Sequence, residues 1–99
     1  MKEKLVRDMI PQIIEAQGRD CEYRIADKIE YHKLLIDKLD EEVLEFKEAE
    51  NLEELADVLE VIFALAKEMG YDKKDLMEKN TKKRYERGSF DDRIVLKMD

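Results

Sequence analysis

Apolar and polar positions along this chain of 99 residues alternate with helical period in four stretches, and the breaks between them carry residues that start and stop helices. The first, "IPQIIEAQG", predicts a helix of about two turns, because Pro11 suits the first helical turn and Gly18 the position just past the end. The second starts behind Asp27, a plausible cap, and runs to about Ala49. Its apolar stripe reads Ile29, Ile36, Leu39, Val43 and Phe46, with His32 in the remaining slot. The third runs from Leu52 to about Glu68: Asn51 is the cap, Glu54 stands three residues on in the capping-box position, and Gly70 ends it. A fourth covers Lys73 to Arg87, with Asp72 as cap, Asp75 completing an imperfect capping box, and Gly88 as stop.

Two segments lack that period. Cys21, Tyr23 and Ile25 alternate in "CEYRIAD", which suits a short strand or an extended arm, and the tail "FDDRIVLKMD" is expected to add a second short strand, beside residues 21 to 25. The third helix is unusual in another way. Leu52, Leu55, Leu59, Ile62, Ala66 and Met69 form one face, yet Val58, Val61 and Leu65 lie off it, so the helix is apolar on more than one side and is either central or shared between subunits. The expected fold class is all-α: residues 1–99 form a single domain, a bundle of about four helices built around an antiparallel hairpin, with one or two short peripheral strands. A chain this size buries only about 60 to 70 per cent of its unfolded surface. Its core is modest, and assembly as an oligomer is the natural remedy.

Charge narrows the partners. Charged residues make up 45% of the chain and the formal net charge is −7, which opposes binding to DNA, RNA or an anionic membrane unless cations intervene. Cys21 is the only cysteine, so no internal disulfide can form. The opening "MKEKLVRDMI" has no long apolar run, and no stretch approaches the roughly 18 apolar residues of a membrane span. The expectation is a cytoplasmic protein with no membrane partner.

The acids are not spread evenly. Glu42 and Glu45 are three apart on the second helix, and Glu54 and Asp57 repeat that spacing on the third, so each pair shares a helix face. In an antiparallel hairpin, positions equidistant from the break fall opposite each other, which sets Glu45 against Glu54 and Glu42 against Asp57. Like charges this close cannot all stay ionised without a counter-ion. A run of glutamates by itself describes a solvated face, but Glu42 stands one turn from Leu39 and Phe46, and Asp57 one turn from Val61. These acids border core, whereas Glu41, Glu48, Glu50 and Glu53 read as surface. A hard divalent cation answers the charge problem, and Mg²⁺, with Mn²⁺ as substitute, fits best because it binds one or two carboxylates together with substrate phosphates. Two such ions could clamp a phosphoryl transfer and lower the pKa of a bound water. A di-iron carboxylate bundle would need two Glu-x-x-His pairs. With His32 as the only histidine and Ile29 three residues before it, that chemistry is excluded; His32 reads as a packed or partly exposed side chain, and Cys21 as structural.

One stretch, "KNTKKRYERGSF", is strongly cationic. On the fourth helix Leu76, Asn80, Lys83 and Arg87 share a face that leads from core to an amide and two cations. Such a line can take phosphate, or can complement the helix C-terminal dipole. Beside a metal-type acidic patch, polyphosphate chemistry accounts for both.

With these residues in place, the chain resembles the all-alpha NTP pyrophosphatase superfamily, the MazG-like and phosphoribosyl-ATP pyrophosphohydrolase-like proteins. The resemblance rests on "EEVLE" at 41 to 45 followed by "ELAD" at 54 to 57, with "KLVRDMIP" and "KKRYERGSF" pointing to the small single-domain house-cleaning branch. It implies that Glu42, Glu45, Glu54 and Asp57 bind Mg²⁺ and that a nucleoside triphosphate is hydrolysed between its α and β phosphates, giving nucleoside monophosphate and pyrophosphate. It further implies a homodimer or homotetramer. Asn80, Lys83 and Arg87 are the candidates for the substrate phosphates, and Glu41 is the candidate proton acceptor. The spacer between the acidic motifs is shorter than in typical MazG proteins, so base recognition is expected to differ. The alternative from another class is a non-catalytic helical oligomerisation or nucleotide-binding regulatory module.

Overall fold

The structure, a computed structural model, describes residues 3–98. Met1 and Lys2 of the opening segment, and Asp99 at the end of the expected tail strand, lie outside the described residues. Within them the fold is all-helical: α1 (Ile10–Ala16), α2 (Lys28–Ala49), α3 (Leu52–Glu68) and α4 (Lys73–Arg87). The caps explain why the boundaries fall there. The Asp27 side chain accepts the Glu30 N–H at 2.8 Å, Asn51 accepts that of Glu54 at 2.9 Å, and Asp72 accepts that of Asp75 at 2.9 Å. Each satisfies a helix-start amide that has no partner within the helix. At α4 the box is complete, because the Asp72 N–H donates back to Asp75 at 3.0 Å. At α3 only half of it forms: the Glu54 carboxylate turns away from the cap and toward α2.

α3 packs mainly along α2 and more lightly against α4, where Lys73 lies over the Phe63 ring at 4.6 Å from its centre. The link between α2 and α3 is tight. Glu50 adopts the left-handed conformation with φ 48° and donates its N–H to the Phe46 carbonyl at 2.7 Å, and Asn51 caps the next helix at once. At the far ends of the two helices His32 meets Glu68.

Which faces meet differs from the expectation. On α2 the side turned to α3 is Leu35, only 3% exposed, followed by Leu39, Glu42 and Phe46, while Ile29 is 87% exposed and Ile36 is 45% exposed. On α3 it is Val58, Val61 and Leu65 that turn inward, and Leu52, Leu55, Leu59 and Met69 that are exposed. A helix apolar on two sides can present either to its neighbour, and the short link decides which. The two strands expected at residues 21–25 and in the tail do not form: among the described residues there is no strand. Tyr23, Ile25, Phe90, Ile94 and Val95 are exposed, and without a facing strand the backbone has no ladder to join. Cys21 is half-buried, its thiol 3.7 Å from the Pro11 carbonyl, a contact that ties this segment to α1.

The apolar residues left outside are many. Among the described residues only Leu35 and Val61 are buried hydrophobics, and the accessible surface is 9488 Å², against about 5,900 Å² for a compact monomer of this mass. The radius of gyration, 17.3 Å, likewise exceeds the ~13 Å of a compact chain of this length. No helix among the described residues is long and apolar enough to cross a membrane.

Candidate metal centre

Glu42 is the centre of the acidic cluster. It lies on the α3-facing side of α2, one turn from both Leu39 and Phe46, and is 7% exposed, the one buried charged residue among those described. One carboxylate oxygen accepts a charge-assisted contact from Lys38 at 3.3 Å. The other, Oε2, is buried with no hydrogen-bond partner from the protein, and Glu54 Oε2 is in the same condition. Carboxylate oxygens of Glu42, Glu54 and Asp57 lie within 4.8 Å of one another, and so do those of Glu41, Glu42 and Glu45. The four predicted ligands thus fall into two groups that share Glu42, not into two facing pairs. Glu42 takes both acids of α3, while Glu45 groups with its own helix neighbours.

An unpartnered buried carboxylate oxygen costs about 1–3 kcal/mol, a cost that a bound cation would offset. Burial pushes the Glu42 carboxyl above its ordinary value, the neighbouring Glu45 pushes it further, and Lys38 opposes both. Oxygen ligands of this kind, with two oxygens unclaimed, suit a hard divalent cation. The donor set fits Mg²⁺ or Mn²⁺ and contains neither sulfur nor imidazole.

Glu41 is not the free surface acid expected. Lys4 donates to it at 3.1 Å and Lys38 at 3.5 Å. The Lys4 hydrogen bond is the main cause that holds its carboxyl below the usual range. A group held ionised in this way is a poor match for a proton acceptor working near neutrality. Asn80, Lys83 and Arg87 are exposed on α4, which packs on α3 and not on α2. Lys79, Lys82, Lys83, Glu86 and Arg87 line a shallow depression of their own, and no hydrogen bond or ion pair among the described residues joins the three predicted phosphate ligands to the acidic cluster.

Three cations at the cluster were not foreseen. Lys38 is only 15% exposed at its side chain, and its spacing to Glu41 and Glu42 on the helix was a readable signal. Lys4 and Arg7 come from the segment ahead of α1, which has no periodicity to assign them a face. Arg7 donates to Asp57 at 2.7 Å. Arg24 fixes the start of that arm by bridging Glu3, at 3.1 and 3.3 Å, and Glu30, at 2.6 and 2.7 Å. In comparisons with known proteins, no family profile matches the chain, and no curated protein or solved structure matches it.

Proposed function

We propose that this chain is a Mg²⁺-dependent nucleotide pyrophosphohydrolase that cleaves a nucleoside triphosphate between the α and β phosphates, as its motifs' resemblance to the MazG-like superfamily implies. The observation that carries the reading is Glu42: a buried carboxylate with an unclaimed oxygen, grouped with Glu54 and Asp57 on one side and Glu45 on the other. Glu42, Glu45, Glu54 and Asp57 hold the metal. When bound, Mg²⁺ supplies charge neutralisation to the phosphates and activates the attacking water. The chain's own contribution is positional. Val61 and Leu35 hold α3 against α2, the Asn51 cap fixes the first turn of α3, and Lys38 keeps Glu42 oriented from within α2. Glu41, the first candidate for accepting the water's proton, is held by Lys4 and Lys38, so its part is to keep these cations at the rim of the site before substrate arrives. Asn80, Lys83 and Arg87 bring cations and an amide to the outer phosphates.

The same reading gives α2 and α3 an antiparallel course, which the contacts of His32 with Glu68 and of Glu42 with Asp57 support. It also gives the protein a homo-oligomeric state, dimer or tetramer, in which the exposed apolar face of Leu52, Leu55, Leu59 and Met69 is covered by another copy. A non-catalytic module would share that assembly and is separated from the enzyme by chemistry alone. The test is to incubate the protein with Mg²⁺ and a panel of ordinary, deoxy and damaged nucleoside triphosphates and to measure pyrophosphate. Release from at least one, abolished by Glu45→Gln and by Asp57→Asn with helicity unchanged, is the expected result. No release from any member would favour the module.

A further inference from the structure

The arm ahead of α1 carries two cations onto the rim of the acidic cluster: Lys4 to Glu41 at 3.1 Å and Arg7 to Asp57 at 2.7 Å. We propose that Arg7 and Lys4 are substrate phosphate ligands, which rest on these carboxylates and pass to the phosphates of the incoming nucleotide when a divalent cation takes Asp57. The proposal rests on the metal-centre reading of Glu42, Glu54 and Asp57.

Charge balance motivates the exchange. Lys4, Arg7 and Lys38 face Glu41, Glu42, Glu45, Glu54 and Asp57, so the cluster keeps an excess of negative charge that one divalent cation cancels. Once the ion shares Asp57, the Arg7 guanidinium has lost much of its attraction there. A triphosphate brings new anionic oxygens to the same place. Arginine suits them better than a single carboxylate oxygen, because its planar fork can donate two parallel N–H bonds to one phosphate.

Exposure makes the exchange easy. Arg7 and Asp57 are 54% and 40% exposed at their side chains, and ion pairs in contact with water hold weakly. The arm itself need not move. Arg24 clamps its start to α2 through Glu3 and Glu30, and the Cys21 contact with Pro11 holds the other end. Between these anchors the backbone stays in place while two long side chains change partners. Lys38, by contrast, is enclosed and bonded along its own helix, which suits a fixed role in orienting Glu42.

The experiment uses the full chain and two probes, Mn²⁺ alone and inorganic triphosphate in the presence of saturating Mn²⁺, both followed by calorimetric titration. Arg7→Gln removes a competitor of the ion, so Mn²⁺ should bind about two- to fivefold tighter, the change in Kd that corresponds to one exposed ion pair. The same variant should bind triphosphate about tenfold or more weakly, the loss of one charge-assisted contact. Arg7→Lys, which keeps the charge without the fork, should fall between, and Lys4→Gln should weaken triphosphate binding as well. An Arg7→Gln protein that loses thermal stability but binds both probes like the wild type would overturn the proposal, as would one that binds Mn²⁺ more weakly, the signature of an arginine that merely holds the site together. Should wild-type protein bind no Mn²⁺, the metal-centre reading falls and takes this one with it. Should it bind Mn²⁺ and triphosphate while the Arg7 and Lys4 variants are unchanged, only this inference falls.

Discussion

Replacing Glu42 by Gln should stabilise the protein in the absence of metal and remove its response to metal. Oε2 of Glu42 is buried without a protein partner, and leaving such an acceptor unsatisfied costs about 1–3 kcal/mol. A Gln amide in the same position keeps the side-chain volume, carries no charge and can donate toward the carboxylates of Glu54 and Asp57, which converge on this point. Lys38 loses its charged partner at 3.3 Å but retains Glu41 at 3.5 Å, so part of the gain is returned. A net gain of about 1 kcal/mol should raise Tm by roughly 4–8 °C for a chain of this size. Mg²⁺ at 100 times its Kd should stabilise the wild type by about 2.7 kcal/mol, and Glu42→Gln should show little or none of that increment. The sign with pH is also set. Because the Glu42 carboxyl is pushed above its ordinary 4.5 by burial first and Glu45 second, its ionised form works against folding above that raised value. The variant's advantage should therefore be present near neutrality and fade as pH falls through the raised value and Glu42 takes up a proton. Thermal melts by circular dichroism at pH 7 and pH 5, with chelator and with Mg²⁺, measure all of this. A metal-free Glu42→Gln protein less stable than wild type, or one that keeps the full Mg²⁺ increment, would refute the reasoning.

Leu35→Ala should cost about 2–5 kcal/mol, the range for emptying a buried leucine site, because Leu35 is the most buried hydrophobic side chain described; urea unfolding would measure it. Asn51→Ala should lower stability by about 1 kcal/mol through the lost α3 cap, and should lower metal affinity too, because the same first turn carries Glu54. The Arg24 clamp should loosen in acid: hydrogen bonding to Arg24 holds the Glu3 and Glu30 carboxyls below 4.5, so its contribution is complete above that value and is lost as pH falls through the lowered ones. Hydrogen exchange of the arm between pH 6 and pH 3 should reveal the loss, and Arg24→Gln should flatten it. Leu59→Glu, on the exposed side of α3, should shift light-scattering mass toward the monomer while leaving the monomer helical.

The helix limits were legible because they are local. Asp27, Asn51 and Asp72 each accept the amide of the third residue of their own helix, and Gly88 stands just past the end of α4, so neighbours in sequence settle the outcome. The helix faces were less so. Leu39 and Val43 lie one turn apart on α2 and are both half-buried, but the most buried positions are Leu35 and an acid, Glu42, which a hydrophobic pattern passes over. The four metal candidates were readable from their three-residue spacing, but the way Glu42 gathers both acids of α3 depends on how two apolar-sided helices are rotated against each other. Lys4 and Arg7 reach the site across 37 and 50 residues of sequence from an arm without period, and only the folded chain brings them there. The expected strands failed for a similar reason: alternation in "CEYRIAD" and in the tail describes a strand only when a second strand lies beside it.

The tight link through Glu50 and Asn51 acts as a gauge of length. Since each residue of an α-helix turns the chain by about 100°, one residue inserted between Glu45 and Glu50 would swing α3 so that Glu54 and Asp57 face away from Glu42. An insertion of about three or four residues, close to one turn, would bring them back on a longer pair of helices. Divergence of this chain between "EEVLE" and "ELAD" is then expected to proceed in whole turns, with single-residue changes in length removed by selection even where no acid is altered.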